Sequence, residues 1–325
     1  MAHLGPRCVT PVASDTTFTN TLRRVFVRDY VQVPRLYPDA VNAESIRRFT
    51  SLLADASRDA NPRTSVPTCG DWTLDDLLWH LTEVQDFWTF VIATRPNPPK
   101  DYEQPERTSG RRLIAVLRHA ATGLAEALDN AGANEPAWSW ADEQTVGFTI
   151  RRQTHEALIH CIDGFLALNL SLPRVSAELV ADGIDEIVHV FLQPNADDVD
   201  DDPKTFGTIT IHATDTHDRW TINMGEGDCT IAGAALHLNL WLWGRGRTWP
   251  LTVSGAAEQA DLLRAEIASK TNYLEPLQRR GRRPRAGSQS RDLVRRDHQW
   301  VNSRANDRAT GMALDRLAAG RCLPQ

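Results

Sequence analysis

An all-helical domain followed by a small α+β domain is the fold class that this sequence predicts, and three observations carry it. From residue 43 to about residue 191, apolar residues recur at the 3.6-residue spacing of amphipathic helices. An acidic run, N-A-D-D-V-D-D-D-P-K at residues 195–204, then interrupts the pattern. Beyond it the period drops to 2, the spacing of half-buried strands.

Residues 1–38 show no sustained periodicity and contain Pro6, Pro11, Pro34 and Pro38, so they are expected to form a poorly ordered extension. A helical bundle is expected over 39–194. Its first helix starts at Ala43, with Ile46, Phe49, Leu52, Leu53 and Ala56 on one stripe. Pro67 and Gly70 mark a turn. Thr73, with Asp76 three residues later, then has the spacing of a capping box that opens a second helix. That helix places His80 beside Leu77, Leu81 and Val84, on its core side. A Pro-rich loop at 96–105 separates it from a third helix over 111–131, striped by Leu113, Val116, Leu117, Ala120, Leu124 and Leu128. A loop at 132–147 carries Trp138 and Trp140, and a fourth helix is expected over 149–169. The fifth follows Pro173, with Leu179, Val180, Ile184, Ile187, Val188 and Phe191. Amphipathic helices joined by such loops bury their stripes against one another as a bundle.

The acidic run at 195–204 is expected to link this bundle to an α+β domain over 205–275. There, residues 206–214 and 219–224 alternate across a turn at 215–218, as a hairpin does. A strand at 229–232, a helix at 234–243, a strand at 251–254 and a helix at 256–267 complete it. Residues 276–325 hold twelve Arg against four Asp, so this tail carries +8 while the overall charge is −6, leaving −14 for the rest. Its Arg, Gly and Ser repeats read as disorder. With Trp300 as its lone aromatic, the tail makes a weak case for a nucleic-acid partner.

The chain has 325 residues, 41% hydrophobic and 24% charged, ordinary for a two-domain globular protein. No run approaches the ~18 apolar residues of a membrane span, so no membrane partner is expected. The N-terminus has no apolar stretch bounded by a cleavage site. The five cysteines (Cys8, Cys69, Cys161, Cys229, Cys322) are scattered and form no Cys-x-x-Cys pair. A reduced, cytoplasmic location is the expectation.

Chemistry centres on His80 and on the segment R-R-Q-T-H-E-A-L-I-H, residues 151–160. Two imidazoles and a carboxylate are a common ligand set for a zinc ion that keeps a fourth position open. Glu156 and His160, four apart, lie on one face of a helix, and His80 would have to arrive from a facing one. The spacing is not the His-Glu-x-x-His of metalloproteases. Plainer readings stand beside this one. Buried histidines often only satisfy a core hydrogen bond, and Glu156 with Arg152 could form a solvated pair worth about 0.2–0.5 kcal/mol. Glu156, His160 and Asp163 share a flank within about 60° at about 100° per residue. His155, among Leu158, Ile159, Ile162 and Leu166, is the more interior histidine. The wheel alone leaves the choice between the two histidines open.

Three segments resemble one known family. C-G-D-W-T-L-D-D-L-L-W-H-L (69–81) looks like the Cys-x-x-Trp-[Thr/Ser]-x-x-[Asp/Glu]-Leu-x-x-His-Leu signature of mycothiol-dependent maleylpyruvate isomerase-like proteins. R-R-Q-T-H-E-A-L-I-H-C-I-D (151–163) is similar to their second signature, and L-H-L-N-L-W-L-W-G-R (236–245) to a helix of their C-terminal domain. The resemblance spans 43–267 and includes neither terminal extension.

It implies a DinB-like four-helix bundle holding a divalent metal, usually zinc, at the positions of His80, Glu156 and His160. A sterol-carrier-like α+β domain would follow. His155 is then left as a packing or outer hydrogen-bonding residue. Arg152 and Asp163 are expected to support the ligands from outside, and Arg245 matches an arginine that handles substrate. Mycothiol is the implied thiol cofactor. Coordination deprotonates a thiol, and the thiolate is the nucleophile. Addition to an activated cis double bond, rotation and elimination would isomerise a small electrophile. If that substrate is a dicarboxylate, a guanidinium such as Arg245 could grip it in two places. An electrophile with a leaving group would make the same site a mycothiol S-transferase. A non-catalytic reading also stands, with an apolar ligand in the α+β domain and a purely structural metal. Arg245 has a plainer reading too, in a G-R-G-R loop that offsets the acidic linker. Cys69 and Cys161 receive no catalytic role, since buried structural cysteines outnumber reactive ones.

Overall fold

Short polar side chains start four of the five helices of the first half by satisfying backbone N–H groups that have no partner within the helix. Helix α1 (Ala43–Ser57) begins at Asn42, whose Oδ1 accepts from the Ser45 amide at 2.8 Å. Helix α2 (Leu74–Thr94) begins at Thr73 with the capping box that the spacing predicts. The Thr73 hydroxyl accepts from the Asp76 amide, and the Asp76 carboxylate accepts from the Thr73 amide. Helix α3 (Gly110–Asp129) follows the Pro-rich loop. Helix α4 (Val146–Ala167) starts at Thr145, which accepts from the Phe148 amide, so it begins slightly before the expected residue 149. Helix α5 (Ala177–Glu186) is capped by Ser176 and runs straight into a π-helical turn, Ile187–Phe191.

The computed structural model describes residues 26–28, 40–192, 208–223, 227–246 and 249–271. The acidic linker (195–204) and the Arg-rich tail (276–325) lie outside these, as does the extension at 1–38 apart from one short strand.

Helices α1 and α2 each pack on both α3 and α4. The apolar stripes meet inside, where Ile46, Phe49, Leu53, Leu77, Leu81, Leu113, Leu117 and Leu124 are fully buried. Burial of one such side chain contributes about 1.5–3 kcal/mol. Close approach of α1 to α4 needs Gly164, because a Cβ there would fall 2.2 Å from Leu53 Cδ1.

The second half is a mixed sheet. Strands β1 (Phe26–Arg28), β2 (Thr208–Ala213), β3 (Arg219–Asn223), β4 (Asp228–Gly233) and β5 (Thr252–Gly255) lie in the order β1-β3-β2-β4-β5. Pairing is antiparallel between β2 and β3, parallel between β2 and β4, and antiparallel at both edges. Ile209, Ile211 and Ala213 point inward from β2 in the expected alternation. Strand β1 comes from the segment in which no element was expected. Helices α6 (Ala235–Leu242) and α7 (Ala257–Thr271) pack against the sheet, and α5 packs on α6. Ionic contacts hold α5 to α4 instead: Arg151 donates to Asp182 and Asp185, and Arg152 to Glu186. Among the described residues no helix is long and apolar enough to cross a membrane.

Helix α6 ends in a Schellman motif. Gly244 takes φ 76°. Its amide donates to the Trp241 carbonyl at 3.0 Å, and the Arg245 amide donates to the Leu240 carbonyl at 2.7 Å. Only a residue at ease with positive φ permits this turn. It delivers Arg245 to the junction with the bundle.

Candidate metal centre

Near the middle of α2 and of α4, side chains from the two facing helices converge. His80 Nε2 lies 3.2 Å from Glu156 Oε1, and His160 Nε2 lies 3.1 Å from the same oxygen. One ligand atom from each of the three fits within a 4.8 Å cluster. The side chains of His80, Glu156 and His160 are 13%, 17% and 9% exposed, so the cluster keeps a face toward solvent. Two neutral imidazole nitrogens and a carboxylate oxygen aimed at one point suit a zinc ion with an open fourth position. Trp72 forms a wall, with its ring centroid 4.8 Å from that of His80 and 6.3 Å from that of His160.

Without a cation, these groups stabilise one another by charge. Burial pushes the Glu156 carboxyl up, but His160, His80 and Arg152 outweigh it and hold it well below the usual carboxylate range. Burial pushes His160 down, and Glu156 and Asp163 outweigh it and raise it well above the ordinary imidazole value. A metal bound here would take the place of a proton at His160 Nε2, leaving the one at Nδ1 with Asp163.

Each of the two α4 side chains in the cluster is also gripped from behind. His160 Nδ1 sits 3.0 Å from Asp163 Oδ2, so Asp163 fixes the ring with Nε2 facing the cluster. Asp163 is fully buried. It accepts from Arg245 Nε at 3.0 Å and Nη2 at 2.9 Å, from the Thr68 hydroxyl at 2.6 Å, and from Cys69 Sγ at 3.4 Å. Burial pushes its carboxyl up, yet Arg245 and His160 hold it far below the usual range. Glu156 Oε2 accepts from Arg152 Nη2 at 2.9 Å, and Arg152 Nη1 donates to Glu186 Oε2 at 2.5 Å. The Arg152 guanidinium lies over Phe191 and Trp243, 5.3 and 5.7 Å from the ring centroids.

The structure therefore brings His80, Glu156, His160, Arg152, Asp163 and Arg245 into one assembly. It does not bring in His155, which is buried in a separate contact with Asp182, Nε2 to Oδ2 at 2.7 Å. The carboxylate grip expected of Arg245 is already engaged: its fork holds Asp163 and its Nη1 donates to the Trp243 carbonyl at 2.7 Å. Thr68, Trp72, Trp243, Phe191 and Glu186 were missed in the sequence. Three of them carried a signal: Trp72 stands in the Cys-x-x-Trp segment and Trp243 in the 236–245 segment, and Glu186 is an acid among apolar residues of its helix, where it needs a partner. Cys69 forms a second group with His160 and Asp163 on the far side of the imidazole. Burial and Asp163 push its thiol up, away from the reactive thiolate.

Residues 43–164 match the family model of the mycothiol maleylpyruvate isomerase N-terminal domain, and residues 178–264 match that of the MDMPI C-terminal domain. No curated protein matches the sequence. Two solved structures are similar to it, each covering 66% of this chain and 91% of its own. One is a mycothiol-dependent maleylpyruvate isomerase (14% identity, TM-score 0.44), the other a variant of such an enzyme with one histidine replaced by alanine (13%, 0.46). With both domain models matched in order across more than half its length, this chain belongs to the mycothiol-dependent maleylpyruvate isomerase-like family.

Proposed function

We propose that the chain is a metal-dependent enzyme that uses mycothiol to isomerise a small electrophilic substrate, as in the maleylpyruvate isomerase type. The observation that carries this reading is the convergence of His80 Nε2 and His160 Nε2 on Glu156 Oε1 at a solvent-facing cluster. A zinc ion held there would keep a bound thiol as thiolate at neutral pH, supplying the nucleophile. The thiolate sulfur bonds to one carbon of an activated cis double bond, whose electrons shift onto the conjugated carbonyl. After rotation about the resulting single bond, the electrons return from the carbonyl oxygen, re-form the double bond and expel the sulfur, giving back the thiolate and the trans isomer.

The residues around the cluster prepare that chemistry. Asp163 holds the His160 proton at Nδ1, leaving Nε2 as a ligand. Arg152 occupies Glu156 Oε2, so that Oε1 faces the histidines. Trp72 shields one side from water, which strengthens every charge interaction within. Arg245 anchors Asp163 and through it the His160 ring. Because its fork is engaged in this way, Arg245 offers no ready-made grip for a dicarboxylate. That favours a second reading, transfer of mycothiol to an electrophile bearing a leaving group.

Metal analysis of the purified protein tests the core of this reading. Wild type is expected to hold one equivalent of zinc, and His80→Ala and Glu156→Ala to hold almost none. Zinc-loaded wild type is then expected to convert a cis-dienoic or similar activated substrate only when mycothiol is added. A wild-type protein that takes up no divalent metal would exclude the mechanism. Thioether product, in place of trans isomer, would move the assignment to S-transfer.

A further inference from the structure

Glu186 stands at an unusual place. It is the last residue of α5, and the π-helical turn begins immediately after it, closed by the Leu192 amide donating to the Ile187 carbonyl at 3.1 Å. Two residues five apart across this turn reach the same target: Glu186 bonds Arg152 Nη1, and the Phe191 ring lies under the Arg152 guanidinium. In a regular α-helix, residues five apart point about 140° away from each other. The wider i→i+5 winding narrows that gap and brings them toward one face, and π-helical turns cluster at functional sites. Trp243, from the end of α6, closes the other side, with its ring 5.4 Å from that of Phe191. Among the described residues, Glu186 Oε1 is buried without a hydrogen-bond partner, and Arg152 is the donor that engages its other oxygen.

We propose that Glu186 is a positioning residue for the metal centre. Resting on the metal reading above, it clamps Arg152 so that Arg152 withdraws Glu156 Oε2 and presents Oε1 alone. Arg152 is buried and needs counter-charge. A metal that draws on Glu156 leaves Arg152 to Glu186. Without Glu186, Arg152 is free to swing or to compete with the metal for Glu156, and Glu156 is free to ligate through both oxygens. The strength and geometry of metal binding in the bundle are thus set by a residue that lies within the C-terminal family match (178–264) and touches no ligand.

Zinc affinity, measured on the full chain by competition with a chromogenic chelator, tests this directly. Glu186→Ala is expected to bind zinc about 10–100-fold more weakly, the usual cost of losing an outer support of a ligand. Glu186→Gln, which keeps an acceptor for Arg152 but no counter-charge, is expected to recover part of the loss. Glu186→Asp, one methylene short, should fall between them and serves where the alanine variant does not fold. The visible spectrum of cobalt-loaded Glu186→Ala is expected to shift as Glu156 becomes bidentate, a change that mere destabilisation would not cause. Wild-type zinc affinity and cobalt spectrum in folded Glu186→Ala or Glu186→Asp would overturn the proposal while leaving the metal reading intact. Failure of the wild type to bind zinc overturns both.

Discussion

Asp163 concentrates the energetics of the site in one carboxylate. Its two oxygens, themselves fully buried, accept from an arginine fork, a hydroxyl and a thiol while facing a histidine. Breaking a buried pair from one side costs about 3–5 kcal/mol, because the partner is left charged and unpaired. Asp163→Ala is therefore expected to lower the unfolding free energy by about that amount, read from the urea midpoint. Arg245→Ala, which strips the same pair from the other side, should cost a similar amount, and the double variant should cost much less than their sum. At this scale, part of the site was legible. Asp163 and Arg152 stand three and four residues from ligands on one helix, so local spacing exposes them as supports. The partners of those supports were hidden by distance: Arg245 lies 82 positions from Asp163, and Glu186 lies 34 from Arg152. A guanidinium met in sequence shows that it will need an anion, not whether a substrate or a neighbouring aspartate supplies it.

Helix α5 is the element on which the two halves meet. It faces α6 with apolar side chains and faces α4 with Asp182, Asp185 and Glu186. Gly183 makes the three-way contact possible, since a Cβ there would lie 2.6 Å from Asn239 Nδ2 and 3.1 Å from His155 Nδ1. Gly183→Ala is expected to destabilise the protein by about 1–3 kcal/mol, the usual cost of overpacking. It should also loosen α5, visible as faster amide exchange along Ala177–Glu186. The helices themselves were readable because periodicity and caps are local, as at Thr73 and Asp76. The π-helical turn was not, since Ile187, Val188 and Phe191 suit either winding and tertiary contacts decide between them. Strand β1 was invisible for a related reason: three residues hold no period, and their pairing with β3 is made by a partner far along the chain.

Across the whole molecule, charge joins a bundle to an α+β domain. Trp220 of β3 donates to Asp185 at 3.1 Å, so the ionic layer between α4 and α5 continues to the sheet. Burial pushes Asp185 and Asp182 up, but His189 and Arg151 outweigh this for Asp185, and His155 and Arg151 for Asp182. Both carboxyls are held below their ordinary value. A carboxyl depressed by folding takes up its proton more readily when unfolded, so it stabilises the fold above an ordinary pKa of about 3.9 and loses that contribution as the pH falls below it. Urea unfolding is expected to show stability dropping as the pH falls below about 4, with a shallower drop in Asp185→Asn. The order of these parts along the chain has one more consequence. His80, Glu156 and His160 all precede Glu186 and Arg245, so a ribosome finishes the three proposed ligands before it makes the side chains proposed to clamp them. A nascent bundle would meet metal with a site that captures loosely, and the later arrival of α5 and α6 would lock the ion in. On the proposed metal reading, loading and retention would in this way be separated in time, and a chain cut short before α5 would exchange its metal freely.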